Sequence, residues 1–136
     1  MELQTAKAFL DLAKGLVEPL REYVAWRNDR KTRVASFCEK IAECLANIAE
    51  SAETRKPIED YCGELNTYMD ALMELLEGVI TAETLAKFSM ILNQATIQRT
   101  LIEELTASQE RERGISVIRE AAGSFRGLAN RLRASA

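Results

Sequence analysis

Few side chains in this sequence could do chemistry, and their spacing limits what that chemistry would be. Ser36 stands one helical turn before Lys40, Glu103 adjoins Glu104, Glu110 lies two positions from Glu112, and Cys38, Cys44 and Cys62 are the thiols. A serine needs a base to become a nucleophile, and a lysine four residues away is too common a spacing to identify one. Neighbouring carboxylates on a helix point to different faces, so Glu103 and Glu104 read as solvated surface, as do Glu110 and Glu112 in a polar break. The chain contains no histidine. Its absence removes the commonest general base, the phosphorelay nucleophile of helical transfer domains, and the Glu-x-x-His metal motif of ferritin-like bundles. The scattered glycines match no phosphate-cradling loop. An odd number of cysteines without a C-x-x-C pair, all on apolar helical faces, reads as reduced thiols acting as small hydrophobes. The expectation is a non-enzymatic protein with no catalytic residues, no metal ligands and no cofactor.

The elements that carry these residues share one period. Leu3, Ala6, Leu10, Ala13, Val17, Leu20 and Val24 step by three and four, keeping one stripe of a helix inward. Val34, Phe37, Ile41, Leu45 and Ile48 repeat the pattern, followed by Ile58, Tyr61, Leu65, Tyr68, Leu72 and Leu75. A fourth series runs Leu85, Phe88, Leu92, Ala95, Ile102 and Leu105, and a fifth runs Ile115, Ile118, Ala122, Phe125, Ala129 and Leu132. Helices are predicted over about 2–26, 30–52, 57–77, 82–106 and 114–132, the last two separated by a break or joined as one bent rod. Pro57 suits a first helical position, Gly78 a left-handed helix end and Thr81 an N-cap. Pro19 inside the first helix, four residues after Gly15, predicts a kink there.

A single domain over residues 1–136, all-α, is expected: an up-and-down antiparallel bundle of four to five helices. The N-terminus lacks a signal peptide's pattern and no window is apolar enough to span a membrane, so the expected location is cytoplasmic.

Charge is distributed unevenly. The third helix carries Glu59, Asp60, Glu64, Asp70, Glu74 and Glu77 without a basic residue. Basic residues concentrate in W-R-N-D-R-K-T-R, from Trp26 to Arg33, and in the C-terminal helix at Arg119, Arg126, Arg131 and Arg133. One expectation is internal pairing of unlike-charged helix faces. The other is that the C-terminal helix meets a partner through Arg119, Gly123, Phe125, Arg126, Gly127, Arg131 and Arg133, the two glycines permitting close approach of another helix. Charge past Val24 ends the first inward stripe, so Trp26–Arg33 reads as the corner of a hairpin, with Trp26 over the bundle end and Asn28 or Asp29 as the next N-cap. A pI near 5.2 and the lack of a dense basic stripe argue against nucleic acid. The middle of the fourth helix is polar, with Asn93, Gln94, Thr96, Gln98, Arg99 and Thr100, and Gln98 falls where the stripe calls for an apolar residue.

The layout of a first helix, a basic turn and R-K-T-R-V-A-S-F-C-E-K-I-A-E-C-L leading a second helix resembles the N-terminal four-helix bundles of HeLo-type cell-death proteins. That resemblance implies a membrane-surface-binding or signalling bundle as an alternative function. The primary expectation is a regulatory module binding a protein partner or itself as a homo-oligomer, with peripheral membrane contact second and a small-ligand cleft at the polar middle of the fourth helix third.

Overall fold

A computed structural model of the chain describes residues 4–22, 28–92, 97–107 and 109–134. Within them lie α1 (Gln4–Glu22), α2 (Asn28–Glu53), α3 (Glu59–Leu76), α4 (Ala82–Leu92), α5 (Ile97–Thr106) and α6 (Arg111–Ala134), with no strand among the described residues. The chain is all-α. The expected helix over 82–106 is seen as α4 and α5, on either side of 93–96. Asn93, Gln94 and Thr96, the side chain of Gln98, and Trp26 with Arg27 lie outside what is described.

Local chemistry explains the helix ends. Gly78 closes the turn after α3 with φ +81°, and the Thr84 N–H donates to Thr81 Oγ1 at 3.1 Å to cap α4. Pro57, expected as the first helical residue of α3, instead lies two positions before it. Ile58 occupies the N-cap, its carbonyl taking the Cys62 N–H at 3.0 Å while its side chain is wholly buried. Glu59 and Asp60 then place carboxylates in the first turn, where the helix dipole favours them. α2 ends in a Schellman motif. The Lys56 N–H donates to the Ser51 carbonyl at 2.7 Å, the Arg55 N–H donates to Ala52 at 3.2 Å, and Arg55 is left-handed with φ 58°. The Arg111 guanidinium adds donors to the carbonyls of Ala52 and Glu53, tying the start of α6 to the end of α2.

The C-terminal helix is central. α6 packs most extensively on α2 and then on α1, while α2 also packs on α3; α1 and α2, consecutive in sequence, have no substantial pairing of their own. α6 therefore lies between them. Arg111 at Ala52 and Arg133 at Glu39 show that α2 and α6 run antiparallel. On a helical wheel of α6, Ile115, Ile118, Ala122, Phe125, Ala129 and Leu132 form the anticipated buried stripe, and Ala121 and Leu128 add a second one beside it. The second stripe lies on the flank of Glu120, which pairs with Lys14 of α1 at 3.6 Å. Two stripes are what a helix needs when it is covered from both sides.

At α1, Phe88 from α4 stands over bare backbone. A Cβ at Gly15 would sit 2.9 Å from the Phe88 ring tip, so this glycine admits the close approach of α4. Pro19, inside α1, offers no N–H to the Gly15 carbonyl.

Candidate partner-binding face of the C-terminal helix

The seven residues expected to meet a partner divide into three groups. Phe125 is wholly buried in the core, which corrects its place on a partner face: the stripe containing it points at α2 and the bundle centre. Arg119 and Arg133 are engaged within the chain, Arg119 with Glu53 and Arg133 with Glu39, both acids of α2. Gly123, Arg126, Gly127 and Arg131 remain on the outward side, Gly127 half-buried and the other three exposed.

The arginines form a ladder with one incomplete rung. Arg119, Arg126 and Arg133 recur every seven residues, and seven residues, about two helical turns, return to nearly the same side of a helix. The acids that meet the outer two, Glu53 and Glu39, are separated by fourteen positions on the antiparallel α2. Midway between them stands Ala46, half-buried. Arg126 thus faces the rung at which α2 supplies a methyl group in place of a carboxylate. It forms no ion pair among the described residues, and neither does Arg131.

Beside this rung the helix surface is bare. A Cβ added to Gly123 or Gly127 meets nothing within 4 Å, so neither glycine is required by a neighbouring helix of the same chain. The expected close helix approach through these glycines is therefore not one made within the chain. Both positions lie in the interior of a 24-residue helix, where glycine costs roughly 0.8–1 kcal/mol relative to alanine.

Internal charge pairing follows a different route from the one expected. Glu59, Asp60, Glu64, Asp70 and Glu74 of α3 and Glu77 just after it are all exposed, and none forms an ion pair among the described residues. The C-terminal arginines are met by α2, not by α3. At the start of α2, Arg33 is exposed, and Arg30 and Lys31 are half-buried.

Two groups with reactive potential are structural. Cys38, Cys44 and Cys62 are buried free thiols. Burial pushes Cys38 and Cys62 up to about 12 and Cys44 up to about 11, with Glu64 adding to the rise at Cys44 and Glu59 at Cys62. Neutral thiols are poor nucleophiles. Glu104, read from sequence as solvated surface, is 1% exposed: its two carboxylate oxygens accept the N–H groups of Thr5 and Ala6 at 3.0 Å each. The sequence did hold a signal for this, because Glu104 follows the buried Leu101 by three positions and so falls on the inward side of α5. Glu103, its neighbour, is exposed as expected. No cluster of metal-ligating side chains occurs among the described residues, and no described helix is long and apolar enough to cross a membrane.

No protein-family model, curated protein or solved structure matches this chain.

Proposed function

We propose that the chain is a non-enzymatic regulatory module that associates with a protein partner, in the first place a second copy of itself, through the outward face of α6. In this reading the helices act as one up-and-down antiparallel bundle in the cytoplasm, with residues 1–136 a single unit that presents Gly123, Arg126, Gly127 and Arg131. One observation carries the reading. Two glycines in the interior of α6 have open space where their side chains would be, so the fold bears their cost in helix propensity without using them. A helix of a second molecule lying across Gly123 and Gly127 would use them, since missing side chains let two backbones approach closely. Arg126 supports the same face, because a partner carboxylate would complete the rung that Ala46 leaves open.

The membrane-surface alternative draws on the same arginines. It lacks an apolar anchor, since the exposed residues around them on α6 are Ser116, Glu120, Gly123 and Asn130. The small-ligand alternative rests on 93–96 and Gln98.

The test is sedimentation equilibrium of the double variant Gly123→Leu with Gly127→Leu. A Cβ at either position meets nothing of the chain within 4 Å, so helix content is expected to match the wild type while the assembled species is lost. Assembly that persists through both leucines would remove the α6 face from the interface.

A further inference from the structure

We propose that α1 is a strap that opens separately from the body formed by α2, α3 and α6, and that Glu104 is its latch. The partition follows from the packing. α1 lies on α6 and α5 and touches α4, whereas α2 holds both α3 and α6 without it. Opening α1 therefore leaves the largest pairings of the molecule in place.

The fastening at the start of α1 is polar and concentrated in one side chain. Glu104 Oε2 accepts the Thr5 N–H and Oε1 accepts the Ala6 N–H, each at 3.0 Å. These are first-turn donors, which have no acceptor within their own helix. No lysine or arginine is ion-paired with Glu104 among the described residues, so the positive end of α1 is the partner its charge has there. When α1 leaves, water satisfies the carboxylate and both amides, and no polar group is stranded. A buried contact of this kind has two states in which all its groups are satisfied, which suits a latch.

The remaining contacts are apolar, with Phe9, Leu10, Leu12, Leu16 and Leu20 of α1 buried in the shared core. By helical spacing, Val117, Ala121, Ser124 and Leu128 lie on the flank of α6 nearer Glu120, while Ile115, Ile118, Phe125 and Leu132 belong to the other stripe. The Lys14–Glu120 pair is exposed at both ends and adds little hold. Within α1 itself, Pro19 leaves the Gly15 carbonyl without a hydrogen-bond donor at the usual position. The polar fastening of the strap is thus at its start, and its own hydrogen-bond ladder is interrupted at Gly15. This inference is independent of the outward face of α6, because it concerns the covered flank.

Amide hydrogen exchange of the full chain tests it, read separately over α1, α2 and α6. In the wild type, α1 amides are expected to exchange ~10-fold or more faster than those of α2 and α6, as a separately opening unit requires. Glu104→Gln keeps the shape but sets an amide donor against one of the two N–H groups, and is expected to speed α1 exchange by a further ~10-fold with α2 and α6 unchanged. Thr5→Pro removes one donor at a position in the first turn where proline is tolerated, leaves Glu104 intact, and is expected to act in the same direction. It carries the test alone if Glu104→Gln does not fold. A purely structural role for Glu104 would speed exchange everywhere. Equal rates over α1, α2 and α6 in the wild type, or variants that accelerate all three together, would overturn the proposal.

Discussion

Glu104 and the cysteines show how far a side chain's role depends on what packs over it. The carboxylate looked like surface because acids usually are, and its acceptor role requires a helix start 98 and 99 residues away. Only its place three residues after Leu101 hinted at burial. The cysteines were legible, since their apolar helical positions already implied neutral, packed thiols. Their raised pKa values give a signed expectation. Folded Cys38 and Cys62, at about 12, keep protons that unfolded thiols release near 9, so the folded state binds more protons above pH 9. Stability is therefore expected to fall as pH rises from about 9 toward 12, and denaturant melts across that window would show a falling midpoint. A second expectation concerns Arg55, held at φ 58° in the left-handed region. Arg55→Gly relieves that conformation and should stabilise the chain by ~0.5–1 kcal/mol in urea unfolding, with no change in helix content.

α6 is the helix whose position the sequence revealed least. Its main stripe was plain from three-four spacing, and Phe125 sits on that stripe. Local periodicity says which side of a helix is apolar, yet it does not say which helix covers it, so Phe125 was assigned to a partner when it belongs to the core. Ala121 and Leu128 were missed for the same reason: the second stripe becomes meaningful only once α6 is known to separate α1 from α2. The glycines allow a test of the helix alone. Gly123→Ala and Gly127→Ala place a methyl group in open space, and each should raise stability by ~0.5–1 kcal/mol in thermal or urea unfolding. No gain, or a loss, would mean that the isolated chain itself uses these glycines.

The described chain is a helical assembly in which the acids of α3 and two arginines of α6 stay outside its ion pairs. α2 absorbs Arg119 and Arg133, leaving the acids of α3 on one side and Arg126 and Arg131 on another. That the chain is all-α could be read from one uniform period; that the last helix occupies the middle could not, because the pairing of distant segments leaves no mark on local spacing. Of Trp26–Arg33, read as a corner between helices, Asn28 to Arg33 lie in the first turns of α2, and Trp26 and Arg27 lie outside the described residues. What the molecule does with its outward α6 face is most directly tested by Ala46→Glu. The added carboxylate would complete the ladder within the chain, pairing Arg126 between the Arg119–Glu53 and Arg133–Glu39 rungs. The fold should gain ~0.2–1 kcal/mol, the range of an exposed ion pair, so any loss of association could not come from unfolding. Sedimentation equilibrium is expected to show the wild type above the mass of one chain and Ala46→Glu shifted toward a single chain. A wild type that stays monomeric at high concentration would contradict self-association, and an Ala46→Glu variant that assembles as well as the wild type would contradict the role of Arg126 in it.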